Sequence, residues 1–364
     1  MCPVLLIGWP HQGLTRKGES ASRVEETAQS RQDLGVSQTV PENGEYDLLI
    51  IGAGPAGLFA TYYAGFRNLS VALMDSLPAL GGQVAALYPE KIILDVAGFP
   101  EIRGQKLVDE LVTQAQTSKP TLYLGHRAEE LTEGADGVTV VTHRGATVRA
   151  KAVIISGGIG TFSPRPLPDA EAYEGKGLRY FVPKLDELAG KDVLIVGGGD
   201  SALDWAMALD GIATSITLVH RRTSFRGHEA SVDKILASGV SVLTPFEVKQ
   251  ITGGEQINSV VVFNNETQEE QTLAVQEVVA ALGFTADLGP FTRWGLDLEK
   301  KHILVDTTMK TNLDRVFAVG DVVEYPGKVR LIAVGFGEAA TAVNNAAGVI
   351  TPGAKVFPGH SSGG

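Results

Sequence analysis

Two glycine-rich turns, each lying between a short apolar run and a helical apolar pattern, constrain the fold of this chain most strongly. The first, Gly52-Ala53-Gly54-Pro55-Ala56-Gly57, follows the run 47–51, and the second, Gly197-Gly198-Gly199-Asp200-Ser201-Ala202, follows the run 192–196. A parallel strand, a tight glycine turn, a helix and a second strand form the βαβ unit that binds dinucleotides. Because this pattern occurs twice, the sequence predicts an α/β protein with two Rossmann-like nucleotide-binding domains of the three-layer ββα kind.

The residues that end the second strand of each unit carry opposite charges. Asp75 lies 23 residues after Gly52, and at the same distance from Gly197 the chain has His220, followed by Arg221, Arg222 and Arg226. A carboxylate at this place binds the two ribose hydroxyls and repels a 2′-phosphate, so the first site is expected to bind FAD or NAD. Guanidinium groups match phosphate oxygens, so the second site is expected to bind NADP. The simpler interpretations are ordinary glycine turns and a solvated basic loop.

Composition excludes several classes of protein. The 364 residues carry a formal net charge of −11 and a sequence pI of about 5.2, a charge that repels nucleic acids and anionic membranes. Cys2 is the only cysteine in the sequence, which excludes an intrachain disulfide, a Cys-x-x-Cys redox pair and a thiolate metal site. The apolar runs are too short to span a bilayer. We expect a cytoplasmic protein with no nucleic-acid or membrane partner, whose redox chemistry belongs to a cofactor.

A Gly-Asp pair near the C-terminus favours FAD over a second pyridine nucleotide at the first site. Gly320 and Asp321 follow the apolar run 316–319 and precede an alanine-rich helical pattern. An aspartate at this place is able to bind a ribityl hydroxyl of FAD, with the N-terminus of the next helix facing the flavin. Taken alone, Gly-Asp is also a common turn.

The order of the apolar segments predicts that one domain is inserted into the other. Residues 1–44 lack a sustained period and are interpreted as a mobile leader. Residues 45–164 and 287–364 are predicted to form the FAD-binding domain, and residues 165–286 the inserted NADPH-binding domain. Short antiparallel strands are predicted over 121–124, 138–142 and 147–149, a parallel strand over 152–155, and one further strand over 273–281.

Five further motifs make the sequence similar to a known family. They are Gly81-Gly82-Gln83, residues 86–91 (ALYPEK), residues 95–100 (DVAGFP), His220-Arg221-Arg222 and Gly335-Phe336-Gly337-Glu338-Ala339. From about Tyr46 to the C-terminus, the chain resembles the ferredoxin–NADP reductases of thioredoxin-reductase type. It departs from thioredoxin reductases themselves because the region 180–185 has no Cys-x-x-Cys pair, which excludes disulfide reduction by the protein's own thiols.

The resemblance implies particular cofactor contacts. Asp75 is expected to hold the adenosine ribose, Gln83 the flavin end, and the strand ending at Ala128 the adenine, while Tyr88 and His360 stack on opposite faces of the flavin. The predicted FAD site comprises Gly52, Gly54, Ala56, Gly57, Asp75, Gln83, Tyr88, Ala128, Phe162, Asp321 and Ser362. The predicted NADP site comprises Gly197, Gly199, Asp200, Ser201, His220, Arg221, Arg222 and Arg226.

Several of these residues also have a structural interpretation. Tyr88 fits a core aromatic, His360 fits a solvated tail residue, and Trp205 and Trp294 are interpreted as packing residues. Asp200 and Ser201 are expected to cap the helix beside the pyrophosphate. No metal site and no catalytic acid or base is predicted, because the flavin carries the chemistry.

The predicted function is FAD-mediated electron transfer between NADPH and a one-electron carrier, ferredoxin or flavodoxin, by a chain that the resemblance implies is a homodimer. Two alternatives stay open: an NADPH-dependent flavin reductase of another small acceptor, such as a quinone or a low-molecular-weight disulfide, and a nucleotide-sensing protein whose flavin never turns over. An acidic carrier needs local basic residues on this acidic chain. The candidates are Lys91, Arg103, Lys184 and Arg293.

Overall fold

The computed structural model describes residues 40–357 and residue 359, with the backbone alone for 161–163 and 286. Apart from Val40, these residues belong to one compact unit, Pro41–Gly364. Most of the predicted leader lies outside the described residues. The first strand begins at Asn43 rather than at the predicted residue 47, because its first residues pair with the strand that begins at Thr147.

The described helices are α1 (Pro55–Phe66), α2 (Gly82–Leu87), α3 (Gly104–Gln116), α4 (Asp200–Leu209), α5 (Glu229–Leu236) and α6 (Ile332–Ile350). The described strands are β1 (Asn43–Ile51), β2 (Val71–Asp75), β3 (Ile92–Ile93), β4 (Ile102–Arg103), β5 (Thr121–Leu124), β6 (Ala128–Gly134), β7 (Gly137–Thr142), β8 (Thr147–Ile155), β9 (Thr161–Pro164), β10 (Leu178–Arg179), β11 (Asp192–Val196), β12 (Ser215–Val219), β13 (Ser241–Leu243), β14 (Phe246–Gly253), β15 (Ile257–Asn264), β16 (Glu270–Ala274), β17 (Glu277–Ala280), β18 (Phe284–Asp287), β19 (Leu298–Glu299), β20 (His302–Leu304), β21 (Val316–Ala318) and β22 (Val323–Glu324). Short 3₁₀ turns occur at Glu171–Tyr173, Leu185–Leu188, Gly289–Arg293 and Gly320–Val322.

The first large sheet joins the first βαβ unit to an antiparallel edge, in the order β5-β2-β1-β8-β7-β6. The prediction that 121–124 is antiparallel was wrong, since β5 pairs in parallel with β2. The predicted strands 147–149 and 152–155 are one strand, β8. Its first half pairs antiparallel with β7 and its second half pairs parallel with β21. Strands β7 and β21 thus pair with successive halves of the same edge of β8.

The second large sheet is parallel, in the order β10-β17-β11-β12-β13, and it is followed along the chain by the antiparallel sheet β14-β15-β16. The single strand predicted over 273–281 was wrong. Residues 270–274 belong to the antiparallel sheet, and residues 277–280 lie in the parallel sheet beside β11. Strand β11 is buried over Val193–Val196, which is typical of a central parallel strand covered on both faces.

The chain passes between the two parallel sheets along one pair of antiparallel strands. Strand β9 leads towards the second sheet, β18 returns from it, and the two pair from Phe284 with Pro164 to Asp287 with Thr161. The predicted domain boundaries fall within this pair. The fold is therefore α/β, with the second Rossmann-like unit inserted into the first.

The C-terminal helix completes the layer that covers the first sheet. Helix α6 packs on α1, and both helices contribute small, fully buried residues to the same hydrophobic core, among them Ala60, Ala64, Ala342 and Ala346. Small side chains allow the two helices to approach closely. None of the described helices is long and apolar enough to cross a lipid bilayer.

Candidate dinucleotide-binding sites

A cavity of about 260 Å³ lies at the carboxyl edge of the first sheet, where the β1–α1 turn, the end of β2 and the start of α6 meet. Its wall brings together many of the residues predicted for FAD, namely Gly52, Gly54, Ala56, Asp75, Gln83, Tyr88, Ala128 and Asp321. Residues that the sequence did not single out also line it, among them His126, Arg127, Leu288, Phe291 and Ile332.

The three glycines of the first turn have different surroundings. Gly52 has φ +113°, and a Cβ on it would lie 2.4 Å from the carbonyl oxygen of Ser156. A Cβ on Gly57, which is buried under the turn, would lie 1.8 Å from the oxygen of Gly52. By contrast, nothing lies within 4 Å of a Cβ built on Gly54. The turn therefore packs tightly at its two ends and is open at its middle, at the N-terminus of α1, as a pyrophosphate site requires.

Asp75 ends β2 and joins the glycine turn to the cavity. Its Oδ2 accepts a hydrogen bond of 2.6 Å from the backbone N–H of Ala53, and its Oδ1 accepts one of 2.8 Å from that of Leu77. Burial raises the pKa of Asp75, and the two backbone hydrogen bonds oppose this rise. Each carboxylate oxygen keeps a lone pair, so the group is able to accept ribose hydroxyls as well.

The strand expected to end at Ala128 is arranged differently. Strand β5 ends at Leu124, and Ala128 begins β6, so the cavity wall here is the connection between the two strands. His126 lies in that connection, buried, with its Nδ1 3.2 Å from Thr142 Oγ1. Burial lowers the pKa of His126, and the nearby Arg144 and His143 add to this effect. No sequence signal pointed to His126, because the strand before it was predicted to be antiparallel and pairs in parallel with β2.

Tyr88 lies at the C-terminal end of α2 on the opposite wall. It is half-buried, and it packs against hydrophobic residues of both the first and the second large sheet. Burial raises the pKa of Tyr88, and the charge of Asp321 adds to this rise. Tyr88 is therefore an aromatic wall of the cavity that also contacts the inserted part of the chain.

Asp321 belongs to the turn Gly320–Val322, which follows β21. Burial raises the pKa of Asp321, while Lys328 and Arg330 oppose the rise. The first turn of α6 lies on the same wall, where Ile332 and Gly335 line the cavity. The structure thus brings Asp321 and a helix N-terminus to the cavity that also contains Asp75.

The second glycine turn connects β11 to α4. A Cβ on Gly198 would lie 2.2 Å from the ring of His220, whose Nε2 lies 3.1 Å from the carbonyl oxygen of Ser224. The ring also stacks on Phe225, with 5.2 Å between the centroids. His220 is buried, and this burial lowers its pKa, with neighbouring arginines contributing. His220 therefore supports the turn from behind as a neutral ring.

The expected capping role of Asp200 and Ser201 was wrong. The N-cap of α4 is Gly199, and no side chain caps the helix. Asp200 is the first helical residue, and its Oδ1 accepts a hydrogen bond of 2.8 Å from the backbone N–H of His228. As at Gly54 in the first turn, nothing lies within 4 Å of a Cβ built on Gly199.

Arg221, Arg222 and Arg226 follow β12 on an exposed loop beside this turn. The loop is held by its backbone, since the Arg226 N–H donates to the oxygen of Gly198 at 2.7 Å and Asn265 Nδ2 donates to the oxygen of Arg221 at 2.9 Å. Within residues 40–357, none of the three guanidinium groups has a carboxylate partner. They are available to an anion.

The described side chains do not include three of the residues predicted for FAD. The side chain of Phe162 belongs to the backbone-only segment in β9, and His360 and Ser362 lie outside the described residues. Trp205 and Trp294 are buried, and Trp294 Nε1 donates to the oxygen of Glu129 at 3.0 Å. No group of three or more His, Cys, Asp or Glu side chains suited to a metal ion occurs in the described part of the chain.

The four basic residues considered for docking differ in their partners. Lys91 pairs with Asp204 of α4 at 2.5 Å, Arg103 with Glu90 at 2.6 Å, and Arg293 with Glu129 at 3.1 Å. Lys184 is exposed and has no ion pair with the described residues. The Lys91 pair links the first part of the chain to the inserted part.

The chain is similar to known proteins over nearly all of the described unit. The profile of the pyridine nucleotide-disulphide oxidoreductase family matches residues 46–346. A ferredoxin–NADP reductase of Frankia alni is 61% identical over 316 residues, which are 87% of this chain and 98% of that protein. A ferredoxin–NADP reductase of Thermus thermophilus is 51% identical over 322 residues, which are 87% of this chain and 96% of that protein.

Solved structures share the fold of this chain. The thioredoxin reductase of T. acidophilum matches with a TM-score of 0.73 at 25% identity, covering 83% of this chain and 98% of that one. The thioredoxin reductase of Lactococcus lactis, in the FR conformation, matches with a TM-score of 0.72 at 25% identity, covering 84% and 99%. With two glycine turns in the expected setting and a family profile matching 46–346, this chain belongs to the pyridine nucleotide-disulphide oxidoreductase family.

Proposed function

We propose that this chain is a ferredoxin–NADP reductase that moves electrons between NADPH and a one-electron carrier, ferredoxin or flavodoxin, through bound FAD. The observation that carries the proposal is the opposite charge at the ends of two corresponding strands. Asp75 ends β2 beside one glycine turn, and Arg221 and Arg222 follow β12 beside the other. The relatives named ferredoxin–NADP reductase support the same activity. The match to the Frankia alni protein covers 98% of that protein's length.

The first cavity fits FAD by the chemistry of its wall. The open middle of the first glycine turn would hold the pyrophosphate, Asp75 would accept hydrogen bonds from the ribose hydroxyls, and Asp321 would accept one from a ribityl hydroxyl. Gln83 and Tyr88 line the same cavity and would contact the flavin ring. When bound, FAD exchanges a hydride with NADPH and passes electrons singly to the carrier. These residues bind and orient the cofactor, and no general acid or base is assigned.

The second site fits NADPH because its guanidinium groups have no carboxylate partner among the described residues. Arg221, Arg222 and Arg226 offer guanidinium groups for a 2′-phosphate, and Gly199 leaves the N-terminus of α4 open for the pyrophosphate. In this arrangement His220 is a supporting residue rather than a phosphate ligand.

The lack of a redox dithiol restricts how electrons leave the flavin. Cys2 is the only cysteine in the sequence, so electrons leave the flavin without an intervening dithiol of the protein. A flavin reductase of a quinone or a low-molecular-weight disulfide shares this property, and the experiment must separate the two.

The decisive experiment measures cytochrome c reduction by the purified flavoprotein with NADPH or NADH, with and without added ferredoxin. We expect turnover that requires ferredoxin and prefers NADPH. Reduction of a quinone or a low-molecular-weight disulfide at a higher rate, without any ferredoxin effect, would assign the alternative function. A flavin that stays oxidised on anaerobic mixing with NADPH would exclude both enzymes and leave a nucleotide-sensing role.

The finer predictions are part of the same proposal. We propose domain boundaries at 164/165 and 286/287, a homodimer, a cytoplasmic location, and stacking of His360 and Tyr88 on the flavin. The paired strands β9 and β18 support the boundaries. Of the described strands, β9 precedes the inserted sheet and β18 follows it along the chain. Size-exclusion chromatography with light scattering tests the dimer, and the His360→Ala variant, through its flavin spectrum and hydride-transfer rate, tests the stacking.

A further inference from the structure

A buried ion pair lies directly behind the Gly320–Val322 turn and has no part in the function described so far. Lys328 Nζ lies 2.5 Å from Glu338 Oε1, and the two side chains are 0% and 4% exposed. Burying two charges removes their hydration, which usually offsets most of their mutual attraction, so such a pair adds little to stability by itself. The position of this ion pair beside the cavity wall suits it to orient that wall.

The Glu338 carboxylate fixes the shape of the turn. Its Oε2 accepts a hydrogen bond of 2.7 Å from the backbone N–H of Gly320, and its Oε1 accepts one of 2.7 Å from the Tyr325 hydroxyl. Gly320 has φ +81°, in the left-handed region, and it lines the cavity together with Asp321. Because Glu338 belongs to α6, its carboxylate ties the turn to the helix whose first residues face the same cavity.

Lys328 balances the charge of this wall. Burial raises the pKa of Asp321, Lys328 and Arg330 oppose the rise, and Glu338 adds to it. Arg330 is exposed and pairs with Glu324 at 2.7 Å. A buried charge is screened by salt much less than an exposed one. Of these two cations, Lys328 therefore acts more strongly on the Asp321 and Glu338 carboxylates.

We propose that Glu338 and Lys328 are positioning residues for FAD, Glu338 by holding the turn that presents Asp321 to the cavity and Lys328 by offsetting the negative charge of that wall. The proposal rests on the FAD site described above. Since the two residues carry opposite charges, their removal shifts the flavin midpoint potential in opposite directions. Loss of the Lys328 cation disfavours added electrons and lowers the potential, whereas loss of the Glu338 anion raises it.

The test compares Lys328→Met and Glu338→Gln in the full chain with bound FAD. The matched control carries Lys106→Met and Glu110→Gln, which remove an exposed ion pair on α3 by the same two substitutions. Midpoint potentials are measured by dye-coupled titration at pH 8, and FAD released on dilution is measured by fluorescence. We expect opposite shifts of potential. We also expect the FAD dissociation constant of Glu338→Gln to rise about tenfold or more, because a charge-assisted hydrogen bond to Gly320 is lost.

The double variant Lys328→Met with Glu338→Gln covers the case in which a single variant fails to fold, because it removes both members of the buried ion pair together. We expect its potential to lie between those of the single variants and its FAD to be held more weakly than in the control. Potentials that shift in the same direction, or FAD held as tightly in the double variant as in the control, would overturn the inference. If the unaltered chain bound no FAD, the proposed function would fail instead.

Discussion

Replacing both Arg221 and Arg222 by alanine is expected to remove the preference for NADPH without removing activity. Both side chains are exposed, and neither has a carboxylate partner in the described part of the chain, so no internal ion pair is broken. The backbone contacts that hold the loop, from Arg226 to Gly198 and from Asn265 to Arg221, do not depend on the guanidinium groups. The substitution therefore acts on the bound 2′-phosphate rather than on the fold.

The magnitude follows from the exposure of the two side chains. A hydrogen bond to a charged group contributes about 1.5–3 kcal/mol, and solvent screening places these exposed contacts at the lower end. Two contacts of about 1.5 kcal/mol give about 3 kcal/mol, which is about a hundredfold in kcat/KM at ~1.4 kcal/mol per decade. The effect is expected in the KM for NADPH, with kcat little changed.

The assay is steady-state ferricyanide reduction with NADPH and NADH at two ionic strengths. The kcat/KM for NADPH is expected to fall about a hundredfold while that for NADH stays within a few-fold, and the loss shrinks at high salt. Arg149→Ala is the control, since Arg149 is an exposed arginine on β8 whose ion pair with Glu45 is long, at 3.5 Å. Equal losses for both nucleotides, or an unchanged KM for NADPH, would refute the assignment of the 2′-phosphate site.

Three further predictions concern the two glycine turns and their neighbours. Gly57→Ala is expected to lower the melting temperature of the protein freed of FAD, because the new Cβ would lie 1.8 Å from a backbone oxygen. Gly54→Ala is expected to leave that temperature unchanged, because no protein atom lies within 4 Å of the new Cβ. It is expected to weaken FAD binding, because the new Cβ enters the space proposed for the pyrophosphate. Equal melting temperatures for these two variants would contradict the packing argument. FAD affinity is expected to fall as the pH drops through the raised pKa of Asp75, since only the ionised carboxylate accepts both ribose hydroxyls, and this fall should begin above the ordinary value of 3.8. Asp75→Asn should bind FAD more weakly and with a smaller fall at low pH, because Asp321, whose pKa is also raised by burial, is then the only one of the two carboxylates that titrates. Fluorescence titration from pH 4 to 8 would test this. His220→Ala is expected to lose about 1–3 kcal/mol of unfolding free energy in urea and to raise the KM for NADPH, because the ring supports Gly198; an effect on KM without any loss of stability would make His220 a direct ligand.

Local sequence patterns predicted the elements that carry the two candidate sites. The run before each glycine turn was predicted as a strand, and β11 has the bounds 192–196 of its run. Such runs are readable because strand burial, helical period and turn chemistry are all set by neighbouring residues. The placement of Asp75 follows equally, since the carboxyl end of β2 must meet the turn at the same sheet edge.

The errors have a common physical origin. The direction of β5 and the division of residues 270–280 between two sheets depend on partners far away in the sequence. The contact of the His220 ring with Gly198 likewise depends on the packing of two separate segments and was not predicted, while its role towards NADP stays a prediction. The type of a residue and its spacing from other residues do not indicate which part of the fold packs against it.

The sequence by itself determined two βαβ units, a carboxylate at the end of one and arginines at the end of the other, and the absence of a redox dithiol. These are properties of residue identity and short spacing, and no packing is needed to state them. Only the tertiary structure decided that Asp321, the start of α6 and Tyr88 meet Asp75 around one cavity, and that Lys328 and Glu338 lie buried behind its wall. The reason is that contacts between separate elements exist only after the helices and sheets have packed, and the local pattern of each segment is the same with or without them.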